Sequence, residues 1–333
     1  MELEPGVVLL HGPNGAGKTN LLEALHVGSQ GFSPRARSDT QMIRFGASAA
    51  HVALRGTAGE TAFRTDVRLS TRDARAATLN GEKLPSAERL RSELRTLVFT
   101  PDRLAVVKGA PAVRRAYVDR SIGRLLPARA ALPIDYAAAV GQRNACLRSL
   151  RAGVSSQDAL RPWTESVVSL GAALVEARVS AVDLLATRFA RIAAELGLET
   201  AVLAYEGEPA TLEELEARLD RDLERGLTGL GPHLHDVRVV AGGSDLRSYG
   251  SQGEQRVAVL ALVLAEAEIL RLRGGDTPLV LLDDVLSELD GDRRRALASI
   301  VSAGGQTIVT ATAVRALPAE PAQALAVTPG RVS

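Results

Sequence analysis

The feature that most constrains this chain is a phosphate-loop pattern near its start. Gly12, Pro13, Asn14, Gly15, Ala16, Gly17, Lys18 and Thr19 spell G-x-x-x-x-G-K-T. An apolar run at 7–10 precedes the loop and a helix-forming stretch follows it, which is the context that this pattern requires. The glycines let the backbone turn and point its N–H groups at phosphate oxygens, at the positive end of the following helix. In such a loop the Lys18 amine reaches the β- and γ-phosphates and the Thr19 hydroxyl holds Mg²⁺, so the pattern predicts a site for a nucleoside triphosphate and Mg²⁺.

The composition is that of an ordinary soluble globular protein of one large or two medium domains. The chain has 333 residues, of which 46% are hydrophobic and 24% are charged. Its single cysteine, Cys146, excludes an internal disulfide framework. The sequence shows neither a secretory leader nor an apolar run of membrane-spanning length, so we expect a cytoplasmic protein without a membrane partner.

The middle of the chain predicts two further structural regions. Alternating residues between 51 and 79 and an Asn80-Gly81 turn indicate an antiparallel meander with one polar face. Apolar residues spaced by three and four then predict long helices, which we interpret as a helical lobe inserted into the nucleotide-binding fold. The resulting division is 1–100 for the first half of the ATPase lobe, 101–203 for the helical lobe and 204–333 for the second half.

Charge is distributed unevenly over the helical lobe. Residues 101–161 contain eleven basic residues against four aspartates, whereas residues 163–224 contain five arginines against thirteen acids. The basic half is a candidate nucleic-acid surface, although charged faces of helices are more often only solvated. Candidate DNA contacts are Arg103, Lys108, Arg114 and Arg115. In the loop after the first helix, Arg35 and Arg37 are candidates for anion contacts, with solvated loop charges as the alternative.

Two segments near the C-terminus carry further candidate site residues. Ser251, Gln252 and Gly253 precede a helix expected over 257–271, which makes them a second potential anion site. The apolar run 279–282 predicts a buried strand that delivers Asp283 and Asp284 at its end. Asp283 is a candidate Mg²⁺ ligand and Asp284 a candidate general base. Alternatively, these acids cap a following helix. Residues 306–312 predict one more buried strand, and the tail 313–333 gives no clear signal.

The order of these segments resembles that of ABC-type ATPase heads. In such heads the serine-glycine loop of one subunit closes over the γ-phosphate that the phosphate loop of another subunit holds. Residues 101–119 and 281–297 further resemble the two signatures of the RecF family of bacterial recombination proteins. The resemblance implies an α/β P-loop NTPase of ABC/SMC head type, with an antiparallel β subdomain and an inserted helical lobe.

The resemblance also implies a function. RecF proteins are expected to dimerise on ATP, to bind duplex DNA near single-strand gaps, to hydrolyse ATP slowly and to work with RecR to help load RecA in the response to DNA damage. On this basis Lys18 and Asp284 are expected to be the catalytic residues, and Thr19 and Asp283 the metal ligands. Residues 12–19 and 251–253 are expected to bind the nucleotide.

Three departures from the family pattern qualify this resemblance. Glu254 stands where a glutamine is usual, and a carboxylate cannot donate a hydrogen bond to a phosphate. Residues 234–236 read Leu-His-Asp where an arginine and an acid are usual. The phosphate-loop strand also begins soon after Met1, so we expect that its neighbouring strands come later in the chain or that an edge strand and part of the adenine pocket are missing.

The sequence motifs are also compatible with two other functions. The ATP-binding subunit of a membrane transporter shares these motifs, but such subunits normally have a histidine after the strand that follows the acids. All five histidines here precede Asp283. A clamp that binds ATP without hydrolysing it is the second alternative, because Asp284 is shorter than the usual glutamate.

Overall fold

The structure is a computed structural model that describes residues 1–36, 38–274 and 277–333. Its strands are β1 (Val7–His11), β2 (Ala49–Ala58), β3 (Thr61–Ser70), β4 (Ala76–Leu79), β5 (Glu82–Lys83), β6 (Thr96–Phe99), β7 (Val202–Glu206), β8 (Asp236–Ala241), β9 (Ser244–Asp245), β10 (Leu279–Leu282), β11 (Thr307–Ala311), β12 (Gln323–Thr328) and β13 (Arg331–Val332).

The helices complete the element order. They are α1 (Lys18–Gln30), α2 (Glu88–Glu93), α3 (Ala105–Lys108), α4 (Pro111–Leu125), α5 (Leu132–Arg151), α6 (Arg161–Glu195), α7 (Leu212–Ala217), α8 (Leu219–Arg225), α9 (Leu246–Tyr249), α10 (Gln252–Leu272) and α11 (Gly291–Ser302). Within the described ranges, no helix combines the length and the apolarity needed to cross a lipid bilayer.

The chain divides into two compact units. The first contains residues 1–104, 192–198 and 252–333, and the second contains residues 105–191 and 199–251. This division differs from the one expected from the sequence, in which residues 204–251 belonged to the ATPase lobe. The reason is that β7, β8 and β9 form a small sheet whose β8 contacts α4.

A six-stranded sheet forms the centre of the first unit, in the order β13-β12-β1-β11-β10-β6. Strands β12, β1, β11, β10 and β6 are parallel, so their carboxyl ends meet at one edge. The side chains of Val8, Leu9 and Leu10 are fully buried, as expected for a strand covered on both faces.

Strand β1 has neighbours on both sides although it begins six residues after the start of the chain. Both neighbours come from the C-terminal part, because β11 pairs with one edge of β1 and β12 with the other. The expectation that the neighbouring strands come later in the chain is therefore confirmed. Residues 313–333, which give no clear signal in the sequence, supply one of these neighbours, β12.

The predicted meander is present in the first unit as the antiparallel sheet β2-β3-β4-β5. Its hairpin register places Val52 opposite Val67 and Arg55 opposite Arg64. Val67 and Leu69 are buried against α1 and α2, whereas Arg64 and Arg68 are exposed. The alternation of apolar and polar residues thus produces the expected polar face.

The second unit is held by a buried ion pair. Arg143 and Asp222 have side chains that are only 1% and 2% exposed, and Arg143 Nη1 lies 2.7 Å from Asp222 Oδ2. Arg143 also donates to the hydroxyls of Thr164 and Thr228, and the amide of Gly229 donates to Asp222. The pair therefore joins α5, the start of α6 and the region around α8.

We predict that Asp222→Ala destabilises the second unit. The substitution leaves the Arg143 guanidinium buried without its counter-charge, which costs about 3 to 5 kcal/mol. Urea denaturation of the full chain measures the change in the free energy of unfolding. The matched control is Asp220→Ala, which removes an exposed acid two positions away on α8. Equal stability of the two variants would contradict the structural role of the pair.

Candidate active site

The phosphate loop lies between β1 and α1, at the edge where the parallel strands end. Gly12 has φ +155°, and a Cβ there would lie 2.2 Å from the carbonyl oxygen of Val327 on β12. Only glycine allows this close approach of two backbones. The Gly12 amide donates to Ala311 at the end of β11, which fixes the start of the loop against the sheet.

The concave side of the loop fits a phosphate group. Gly15 and Gly17 both have positive φ, and apart from the adjoining residues no heavy atom of the described chain lies within 4 Å of where their Cβ atoms would be. Gly17 is the N-cap of α1, and the first turn of this helix contains no acid. The positive end of the helix dipole therefore lies beside open space, which suits an anion.

Lys18 donates to the loop itself. Its Nζ lies 2.8 Å from the carbonyl oxygen of Gly12 and 3.0 Å from that of Pro13. Both acceptors are neutral, so the ammonium charge keeps its attraction for a phosphate. A phosphate oxygen would replace these carbonyls with a stronger, charge-assisted hydrogen bond.

Asp283 is the centre of the site. Its Oδ1 accepts hydrogen bonds from the hydroxyl of Thr19, at 3.0 Å, and from that of Thr310, at 2.9 Å. The two hydroxyls come from the first turn of α1 and from β11, and Asp283 itself follows β10. Because Leu282 pairs with Val309, the residues that follow them, Asp283 and Thr310, are held side by side.

Burial raises the pKa of the Asp283 carboxyl above its usual value. The hydrogen bonds from Thr310 and Thr19 and the positive charge of Arg35 act in the opposite direction, whereas the neighbouring Asp284 raises the pKa further. A buried carboxylate with two hydroxyl neighbours offers hard oxygen ligands, which are the donors that Mg²⁺ prefers. Thr19 and Asp283 thus fit the metal site that the sequence predicts.

Asp284 occupies a strained position next to this carboxylate. Its φ is +50°, and its amide donates to the Thr310 hydroxyl at 2.8 Å. The side chain is exposed and lines a cavity of about 310 Å³. Strained backbone of this kind concentrates at functional sites. The alternative that these acids cap a helix is wrong, because Asp290 caps α11 through the amide of Arg293.

The serine-glycine segment lies at the start of a longer helix than the sequence predicts. α10 begins at Gln252 instead of 257, so Gly253 and Glu254 belong to its first turn and Ser251 directly precedes it. An acid in the first turn favours the helix dipole, which explains why Glu254 suits this position. Arg256 of this helix forms an ion pair with Glu288, in the turn that follows the paired acids. The distance from Arg256 Nη1 to Glu288 Oε1 is 2.8 Å.

Two of the four candidate DNA contacts have structural roles instead. The guanidinium of Arg114 is 4% exposed; it pairs with Asp236 and donates to the carbonyl oxygens of Val107 and Gly109. Arg115 donates to the carbonyl oxygen of His235, and burial lowers its pKa. Arginines whose donors are used inside the protein are poorly placed for DNA.

The remaining basic candidates differ in exposure. Lys108 is exposed at the end of α3, whereas Arg103 is half-buried and engaged in interactions of its own. Arg35 Nε lies 3.7 Å from Asp102 Oδ2. The positive charge of Arg35 also acts to lower the pKa of the Asp283 carboxyl. Arg37 lies outside the described residues.

The sequence does not mark Thr310 as a site residue. Its only signal was the run Thr-Ala-Thr at the end of an otherwise apolar strand. The structure shows that its hydroxyl joins Asp283 to Asp284, since it donates to one residue and accepts from the other.

Comparison with known proteins agrees with this geometry. Residues 1–328 match the family model described as the RecF/RecN/SMC N terminal domain. The protein named DNA replication and repair protein RecF from Symbiobacterium thermophilum is 36% identical to this chain over 334 residues, which cover 94% of this chain and 87% of that protein.

Two solved structures extend the comparison. The recombination mediator protein RecF-ATP of the RecFOR pathway superposes with a TM-score of 0.86 at 27% identity and covers 100% of this chain and 92% of that one. An SmcHead bound to the C-winged helix domain of ScpA has a TM-score of 0.61 at 18% identity, covers 98% of this chain and 89% of that one, and supports the fold alone. The expected α/β fold of ABC/SMC head type is confirmed.

We predict that Asp283→Asn stabilises the ligand-free chain at pH 7. A raised pKa means that the folded chain binds this proton more tightly than the unfolded chain does. The folded state therefore loses stability as the pH rises from the unfolded value, near 3.8, through the raised folded pKa. Asparagine removes that cost and keeps an oxygen for Thr19 and Thr310.

Urea denaturation at pH 7 and at pH 3 measures this effect. The stabilisation should be present at pH 7 and absent at pH 3, where Asp283 is protonated in both states. Asp183→Asn, at an exposed position in the interior of α6, is the control and should change neither value. A variant less stable than the parent at pH 7 would show that the ionised carboxylate favours folding.

Proposed function

The chain belongs to the RecF family, and from that premise we propose that it is an ATP-dependent DNA-binding protein of recombinational gap repair. It would clamp duplex DNA near single-strand gaps and help RecA loading together with RecR. Named relatives in DNA replication and repair support this assignment, as does the similar RecF-ATP structure from the RecFOR pathway. Since bacterial DNA lies in the cytoplasm, this function implies a cytoplasmic location.

The observation that carries the proposal is the chain of hydrogen bonds from Thr19 through Asp283 and Thr310 to Asp284. It brings the phosphate loop, the candidate metal ligands and the candidate base into one site. Mg²⁺ held by Thr19 and Asp283 would neutralise charge on the phosphate oxygens. Lys18 would exchange the Gly12 and Pro13 carbonyls for the β- and γ-phosphates.

Asp284 would accept a proton from the attacking water as ATP is hydrolysed to ADP and phosphate. Its side chain is exposed, so water has access to it. We propose that turnover is slow, because an aspartate is one methylene shorter than the glutamate usual at this position. We further propose that bound DNA stimulates this hydrolysis.

We propose that ATP is bound between two copies of the chain. Ser251, Gln252 and Gly253 of one copy would close over the γ-phosphate held by the phosphate loop of the other. The exposed Ser251 at the start of α10 and the helix dipole behind it support this role. Glu254 would contribute no hydrogen bond to the phosphate.

The transporter alternative is not favoured. β11 ends at Ala311 and is followed by Thr312, so no histidine stands where transporter subunits normally have one. The non-hydrolysing clamp differs from our proposal only in turnover. A phosphate-release assay with DNA present distinguishes the two.

We predict that ATP tightens binding to a gapped duplex in a gel-shift assay and that Lys18→Met abolishes this effect. Lys18 is one of only three lysines, which provides matched controls. Lys83→Met, at an exposed position on β5, should bind like the parent with and without ATP. Lys108→Met should weaken binding at every nucleotide state and reduce the slope of log affinity against log salt by about one.

Size-exclusion chromatography of the same samples tests the dimer. ATP should move the parent and Lys83→Met to the size of a dimer and leave Lys18→Met a monomer. DNA binding that ignores ATP and survives Lys18→Met would contradict the proposal. A parent that stays monomeric with ATP would contradict the shared site.

A further inference from the structure

A cavity of about 310 Å³ opens beside Asp284, at the carboxyl ends of β10 and β11. Its walls are Asp284 with the turn that follows it, the residues after β11, and the side chains of Arg294 and Arg315. Ligands of open α/β sheets bind at this edge. Liquid water occupies about 30 Å³ per molecule, so a cavity of this size holds a small polyatomic anion together with several waters.

Its charged groups favour an anion. Two arginines and one aspartate line the cavity, and Arg315 is exposed. The positive charge of Arg294 also lowers the pKa of Asp290, but no ion pair within 4 Å joins Arg294 or Arg315 to a carboxylate among the described residues. Nε of Arg294 is buried out of reach of water, so the Nη groups of the two arginines are the donors that would contact an anion in the cavity.

The cavity borders the candidate catalytic residues through Asp284. Thr310 Oγ1 donates to Asp283, the candidate metal ligand, and accepts from the amide of Asp284, whose residue lines the cavity. Hydrolysis of ATP with one water yields ADP, one hydrogen phosphate and a proton. The product phosphate is thus an anion that the proposed reaction forms beside Asp284, which also lines the cavity.

We propose that this cavity binds the inorganic phosphate released by ATP hydrolysis, with Arg294 and Arg315 as its ligands. The planar guanidinium of arginine suits phosphate oxygens, which it contacts through paired N–H groups. The inference deepens the proposed function and rests on it, because it assigns the product of that reaction a site outside the phosphate loop.

Equilibrium dialysis of radiolabelled inorganic phosphate against the full chain saturated with ADP and Mg²⁺ tests the site without turnover. The parent should bind phosphate, and Arg294→Gln and Arg315→Gln should each weaken binding about tenfold or more, since each loses a charge-assisted hydrogen bond. The matched control is Arg295→Gln on the same helix, whose exposed arginine pairs with Asp292. It should bind phosphate like the parent. Unchanged ADP affinity shows that each variant is folded.

Lys18→Met separates the cavity from the phosphate loop. Phosphate binding that survives Lys18→Met at high ADP and is weakened by Arg294→Gln supports the cavity site. Binding that Lys18→Met removes and Arg294→Gln leaves unchanged would belong to the γ-phosphate position and overturn the inference. No phosphate binding by the parent would overturn it as well.

Steady-state turnover separates this inference from the proposed function. A parent that releases no phosphate from ATP, yet binds phosphate through Arg294, would refute the proposed hydrolysis and leave the anion site standing. A parent that hydrolyses ATP with equal product inhibition by phosphate in Arg294→Gln and Arg295→Gln would refute the site and leave hydrolysis standing.

Discussion

The site depends on one buried carboxylate oxygen that is shared by two hydroxyls. Asp283 Oδ1 accepts from Thr19 on the phosphate-loop side and from Thr310 on the sheet side. Burying a carboxylate is unfavourable unless it is hydrogen-bonded, so these two donors are what make its position tolerable. They also fix where a cation can bind, because they hold the carboxylate next to the hydroxyl that would share the metal.

This contact requires the two ends of the chain to meet. Thr19 comes after β1, whereas Asp283 comes directly after β10, 264 residues later in the chain. Thr310 lies within β11, one residue before that strand ends. The parallel register of β1 with β11 and of β11 with β10 brings them to one edge of the sheet. The pairing of β12 with β1 then covers the remaining edge, and its Val327 carbonyl leaves room only for glycine at position 12.

Local patterns were sufficient to predict the elements that carry their own signal. The phosphate loop is predictable from its glycine spacing, the strand before Asp283 from its apolar run and the meander from its alternation of residues. Each of these signals lies within a short segment of the sequence. β12 is not predictable in this way, since residues 323–328 mix polar and small apolar residues and become a strand only by pairing with β1. The start of α10 is not predictable from the sequence, because residues 252–255 have no apolar side chain to reveal the helical pattern. A first turn without apolar residues is nevertheless compatible with a helix.

The hydrogen-bond partners of side chains could not be predicted from the sequence. The sequence alone predicts Arg114 and Arg115 as basic surface residues. In the structure Arg114 donates to Asp236 and Arg115 donates to the carbonyl oxygen of His235, both more than 100 residues away in the chain. The same holds for Thr310, whose two hydrogen bonds exist only because β10 and β11 are neighbours. Charge and polarity are local properties, whereas a residue's hydrogen-bond partners depend on the topology.

The most direct test of this account is the rate of ATP hydrolysis by Thr310→Val, with Thr310→Ser as its matched control. Valine keeps the shape but removes the hydroxyl, so Asp283 loses a donor and the Asp284 amide loses its acceptor, at a cost of about 1 to 3 kcal/mol for the unsatisfied group. We expect a kcat lowered about tenfold or more in Thr310→Val, with ATP still bound, and a near-parental kcat in Thr310→Ser. A parental kcat in Thr310→Val would show that the hydrogen-bond chain does not organise the site.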